Sequence, residues 1–220
     1  MIRFAGLGGV VGSLLFTIAT IVAASLRPEY SHTARFISEL GADGTPHAAL
    51  MNVLAFLPTG VLLGAVGVAI ARTLPTSRGA AIGTALVVLF GVGILASGFI
   101  SCDAGCPQTA GSLENIVHNL IGPFAFACAI VGIGVLGAGF RRIPEWRSLS
   151  GYSLASSIVG LLFLILLISS VESRVRTGLY QRLFLATVFL WYAIAGMRAY
   201  RLQTEQRVHV ITADTRPDIR

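Results

Sequence analysis

Apolar residues dominate six long stretches of this chain, and polar residues collect in the short segments between them. The stretches cover residues 4–26, 48–71, 79–100, 113–140, 151–171 and 178–200. Each is long enough to cross the hydrocarbon core of a bilayer as an α-helix, which takes about 20 residues. None alternates with the period of two that marks the shorter strands of a membrane β-barrel. Lipid offers no hydrogen bonds to a bare backbone, so such segments must satisfy their amides internally, as helices. The pattern predicts an all-α polytopic membrane protein, six transmembrane helices in one compact bundle over residues 1–203. A polar tail follows at 204–220.

Composition agrees with a lipid environment. Hydrophobic residues make up 55% of the 220 positions and charged residues only 12%, about half the charge of a soluble domain. The 25 glycines suit close helix crossings. Gly8 and Gly12 form a GxxxG pair in the first span, and Gly132, Gly134, Gly137 and Gly139 gather near the end of the fourth. A tight bundle of this kind leaves little room for a wide aqueous pore. The first span has an alternative reading as a cleavable signal peptide, with Arg3 ahead of the apolar run and small residues at 22–25. Its apolar core is longer than a signal requires, and an even number of spans keeps both ends on one side, so its retention is expected.

Charge sets the orientation. The formal net charge is +6, and all 16 basic residues are arginine. No basic stripe interleaved with aromatics appears, so no nucleic-acid partner is predicted. The arginines lie between the spans. With the N-terminus inside, the cytoplasmic side holds Arg3, Arg72, Arg78, Arg141, Arg142, Arg147, Arg198, Arg201, Arg207, Arg216 and Arg220. The opposite side holds Arg27, Arg35, Arg174 and Arg176, and Arg182 lies inside the sixth span near its outer end. The positive-inside bias therefore predicts two cytoplasmic termini.

The elaborated connections then lie outside. Residues 27–47 are the longest, with HTARFISEL predicting one or two helical turns that dip Phe36, Ile37 and Leu40 into the interface. GADG and TP end that segment as turns. Residues 101–123, SCDAGCPQTAGSLENIVHNLIGP, put polar chemistry where the third span ends and the fourth begins. Cys102 and Cys106 favour a disulfide if they face an oxidising compartment. Free thiols and metal binding are the alternatives, although the spacing is neither that of a zinc site nor CxxC. Cys128, inside the fourth span, reads as a small buried hydrophobe.

Ser112 is placed to cap the fourth helix, and Glu114 sits in its first turn, where negative charge is favoured. Asn115, His118 and Asn119 share a face with Gly122. His118 should lie a turn or more below the surface, a depth at which a polar residue must face the bundle or a water-filled cavity. Three roles are open to it: a helix–helix hydrogen bond, ligand binding, or catalysis. On the second span, His47 stands at the outer start, Asn52 lies at a depth close to that of His118, and Pro58 predicts a kink. Glu39 sits on an apolar, helix-like stretch, and Asp103 lies in the cysteine loop. No HExxH or comparable signature is present, so neither a metal nor a cofactor is predicted. Only His118 is deep enough to ligate haem, which argues against a bis-histidine site. The absence of charge at the midplane of the spans argues against coupled ion transport.

Taken together, YSHTARFISELGADGTPHAALMNVLAFLPTG, FISCDAGCP and ENIVHN resemble the DUF998 family of prokaryotic six-pass membrane proteins. The resemblance covers roughly residues 5–200. It rests on Ser31, Glu39, Asn52, Gly60, Cys102, Asp103, Gly105, Cys106, Pro107 and His118. It implies the six-pass fold and, with the arginine count, a multi-pass location in a prokaryotic inner (plasma) membrane with extracytoplasmic outer loops. It supplies no reaction, cofactor or substrate.

These observations favour an outward-facing polar cavity that binds a lipid or small amphiphile. The ligand-binding candidates are His118, Asn52, Asn115, Asn119, Glu114, His47 and Ser31. One alternative is a membrane-embedded lipid hydrolase or transferase using His118 with Glu39 or Asp103 as acid–base groups. Another is a small-molecule transporter. Membrane lipids are the expected partners, and both a monomer and a homo-oligomer are compatible with the sequence.

Overall fold

The computed structural model describes residues 2–214; Arg216 and Arg220 of the orientation count lie outside the described residues. A 3-10 turn at Ile2–Leu7 leads into α1 (Gly8–Ser25). The chain continues through α2 (Ala48–Ala71), α3 (Arg78–Phe99), α4 (Leu113–Phe140), α5 (Arg147–Ser170) and α6 (Thr177–Asp214). The described residues contain no strand. Among the described residues six helices are long and apolar enough to cross a membrane. Their outward faces carry large apolar side chains such as Leu14, Ile18, Leu161, Ile165 and Leu190. A helix that is apolar on both its buried and exposed faces belongs in lipid.

Each helix packs on the next in sequence, α6 closes the ring against α1, and α6 also touches α2. Glycines set the closest crossings. A methyl group at Gly9 would collide with the backbone carbonyl of Tyr192, and one at Gly60 with the backbone of Leu95. Gly8 and Gly12 both face Leu62 on α2. In α4, Gly132 faces α3, Gly134 and Gly137 face serines of α5, and Gly139 meets open space. The middle of the bundle is filled by Phe90, Phe184, Trp191 and Tyr192, all fully buried. Their polar atoms are satisfied internally: Tyr192 Oη donates to the carbonyl of Val87 and Trp191 Nε1 to Ser153 Oγ.

Three local departures have identifiable causes. In α2 a π-helical turn covers Asn52–Phe56, immediately before the segment that carries Pro58. Proline has no N–H for the carbonyl four residues earlier, and the wider turn absorbs the break. α5 begins at Arg147, four residues before the apolar stretch. There Trp146 stacks on Phe140 and Ser150 Oγ donates to the Gly137 carbonyl, so the first turn is held against α4. α6 continues well past residue 200, with Leu202 buried and Gln203 Nε2 donating to the Ala69 carbonyl at 2.8 Å.

Candidate ligand site on the loop face

Residues 26–47, 100–112 and 171–176 meet at one end of the bundle, here the loop face. Asp43 N–H donates to the Cys102 carbonyl at 2.7 Å, and Leu179 N–H to the Thr33 carbonyl at 3.0 Å. The stretch 32–40 forms a single 3-10 turn at Ile37–Leu40, with Phe36, Ile37 and Leu40 buried as their apolar character requires. Glu39 is buried with them and is fully engaged. Its Oε1 accepts from Phe36 N–H at 3.1 Å and from Arg174 Nη1 at 2.8 Å, and Arg35 Nη1 lies 3.8 Å from Oε2. Arg174 also donates to the Cys106 carbonyl at 3.0 Å and stacks over the Phe36 ring at 4.8 Å. One guanidinium thus ties the 3-10 turn to the cysteine loop.

That loop is wound around the start of α4. Cys102 and Cys106 are paired at disulfide distance and buried. Ser112 Oγ caps the helix by accepting from Asn115 N–H at 3.1 Å. Asp103 grips the cap from outside: Oδ2 accepts from Ser112 N–H and Oδ1 from Ser112 Oγ, both at 2.7 Å. The Ser112 N–H and hydroxyl hold the Asp103 carboxyl below the usual range. Asn115 is fully buried and uses its whole amide. Nδ2 donates to the Pro107 and Ala110 carbonyls, and Oδ1 accepts from Asp103 N–H. Asn119 Nδ2 adds a second bond to Pro107 at 2.8 Å. Glu114 is exposed and accepts from Ser101 N–H.

His118 lies beneath this lattice and is 8% exposed. Its Nδ1 is 2.6 Å from the Ile100 carbonyl, at the end of α3. A carbonyl only accepts, so Nδ1 carries the proton, and the lone pair of the neutral form is on Nε2. His118, Ser38 and Gln181 all line two adjoining cavities of 110 and 50 Å³. Gln181, 9% exposed, accepts from Ile37 N–H through Oε1 at 2.7 Å, which leaves its amide NH₂ uncommitted. The larger cavity reaches between α4 and α5, past Gly122, Pro123 and Leu167. Pro123 contributes indirectly, because it has no N–H to offer the Asn119 carbonyl. No hydrogen bond among the described residues joins His118 to Glu39 or Asp103.

The family model described as a protein of unknown function, DUF998, matches residues 10–198. This chain belongs to the DUF998 family. No curated protein and no solved structure matches it significantly.

The remaining candidates of the DUF998 protein are spread over the loop face. Asn52 Nδ2 donates to the Gly41 carbonyl at 2.9 Å, while its Oδ1 is buried without a partner. Ser31 Oγ accepts from Ala34 N–H and pairs with Thr33 in an exposed turn. His47 is exposed and opens α2 at a φ of 62°. No group of three histidine, cysteine or acidic side chains among the described residues is arranged to hold a metal ion. Two residues that line both cavities beside His118 were not singled out by pattern, Gln181 and Ser38. For Gln181 a signal existed: the adjacent polar pair Gln181 and Arg182 interrupts an otherwise apolar span. Ser38 had none, since a serine in a loop is ordinary.

Proposed function

We propose that this DUF998 protein binds a lipid or small amphiphile by its polar head in the cavity shared by the 37–40 turn, α4 and α6. The observation that supports this most is the pair of uncommitted groups that largely buried side chains present to one cavity: an acceptor, His118 Nε2, and a donor, the Gln181 amide. Buried polar groups normally find partners. The group that complements both at once is one that gives and accepts a hydrogen bond, such as a hydroxyl or a primary amide. The apolar walls supplied by Phe126, Leu164 and Leu167 suit the tail of the same molecule. The arginine bias supports an extracytoplasmic loop face in a prokaryotic plasma membrane.

Acid–base catalysis by His118 with Glu39 or Asp103 has less support, because both carboxylates are engaged in holding the loops. Transport has less support because an aromatic core fills the middle of the bundle.

Native mass spectrometry of gently extracted protein tests the reading. Gly122 lines both cavities, and a side chain added there meets open space. Gly122→Leu should therefore fill the site without breaking a hydrogen bond. The wild type should carry a co-purifying molecule that is absent from Gly122→Leu and depleted in His118→Ala. A molecule retained in both variants, or a wild type free of any, refutes the reading.

A further inference from the structure

A second cavity lies between α1 and α6. It encloses 510 Å³, and its rim includes the exposed residues Leu14, Ile21 and Leu190, so it opens sideways into the lipid. Along α1 its lining runs from Val10 to Ile21, and along α6 from Arg182 to Ala193. Each run is about 16 Å of helix, half of the about 30 Å hydrocarbon core and thus the depth of one leaflet. The hydroxyls along its wall are already committed: Ser13, Thr17 and Thr20 each bond a carbonyl one turn earlier in α1. The surface left to the cleft is mostly apolar.

Its loop-face end is cationic. Arg182 Nη1 donates to the Arg35 and Gly178 carbonyls and Nη2 to Tyr30 Oη at 2.6 Å. These acceptors are all neutral, because Tyr30 is buried and its phenol is pushed above the usual value by that burial. No carboxylate within ion-pair distance of Arg182 exists among the described residues. Glu29 pairs with Arg27, and Glu39 with Arg174 and Arg35. His32 shares the rim, edge-on to Tyr30 at 5.5 Å, and burial together with Arg182 pushes its pKa down. A fixed, uncompensated guanidinium at the mouth of a leaflet-deep apolar cleft calls for an anion attached to a hydrocarbon chain.

We propose that the α1–α6 cleft is a binding site for one anionic phospholipid of the loop-face leaflet. One acyl chain lies between the helices down to Val10 and Ala193, and the phosphate takes the free N–H groups of Arg182. The site is separate from the His118 cavity: Phe16, Ile37 and Leu185 form a wall common to both.

The test is native mass spectrometry of delipidated protein with phosphatidylglycerol or phosphatidylethanolamine added at equal concentration. The wild type should retain one phosphatidylglycerol about fivefold more strongly. Arg182→Gln should abolish that preference. Ala186→Phe fills the cleft from an exposed position that makes no side-chain hydrogen bond, and should lower retention of both lipids. Arg78→Gln, at the opposite end of the bundle, should leave the bound lipid in place. Equal retention of the two lipids by the wild type overturns the proposal. So does undiminished retention of phosphatidylglycerol in Ala186→Phe, which also decides the matter if Arg182→Gln fails to fold. Gly122→Leu should not affect this lipid, which separates the result from that of the His118 cavity.

Discussion

Arg174 Nη1 lies 2.8 Å from Glu39 Oε1 across 135 residues of sequence, and the same guanidinium holds the Cys106 carbonyl. This pair joins the 26–47 connection, the cysteine loop and the α5–α6 connection at one point. Glu39→Ala leaves Arg174 Nη1 and Phe36 N–H without their acceptor. The expected cost is about 2 kcal/mol. That is discounted from the about 3 kcal/mol of a fully buried pair, because solvent screens the partly exposed Arg174. Glu39→Gln should cost less, since its amide oxygen still accepts from Phe36. Thermal unfolding in detergent measures both, and equal melting temperatures for the three proteins would contradict this role.

Asn115 bridges the cysteine loop with both ends of its amide. Asn115→Asp replaces the donor to Pro107 and Ala110 with an oxygen, and sets a negative charge against two carbonyls. It should destabilise the loop by about 2 kcal/mol, more than Asn119→Asp, which loses one bond at a partly exposed site. Limited proteolysis across 103–112 should reveal the difference as faster cleavage of Asn115→Asp.

Asp103 gives the loop a pH dependence of known sign. Its folded pKa is depressed, so its bonds to Ser112 stabilise the loop fully above the unfolded value of about 4. That stabilisation is lost as pH falls through the lower folded value. Hydrogen-exchange protection of residues 103–115 should hold from neutral pH to about 5 and decline on further acidification. In Asp103→Asn, protection should be low throughout and lack this acid-dependent step.

Sidedness is open to direct labelling. Cys128 is buried and Cys102 and Cys106 are paired, so the background for a thiol reagent is low. A membrane-impermeant maleimide applied to intact cells should modify Glu172→Cys on the loop face and spare Thr76→Cys at the other end. The opposite pattern would invert the orientation deduced from arginine bias.

The six spans were legible because apolar length is a local property that lipid reads directly. So were Ser112 as a cap and the shared face of Asn115, His118 and Asn119, which follow from spacing within one helix. The neighbours of His118 were not. Gln181 and Ser38 lie on other elements, and the Ile100 carbonyl that fixes the ring belongs to the end of α3. Pattern paired His118 with Glu39 or Asp103 on the strength of availability. In the folded chain Arg174, Phe36 and Ser112 take those carboxylates instead.

By itself the sequence determined the class of solvent around this protein, the number of crossings, and the bias of positive charge toward one end. Each is a sum over residues and needs no knowledge of neighbours. Only the tertiary structure decided which polar groups are left over once packing is complete. A hydrogen bond or ion pair is a matter of a few ångströms between distant segments. Hence the lone pair on His118 Nε2, the spare amide of Gln181 and the uncompensated charge of Arg182 emerge only when all six helices and three connections are in place.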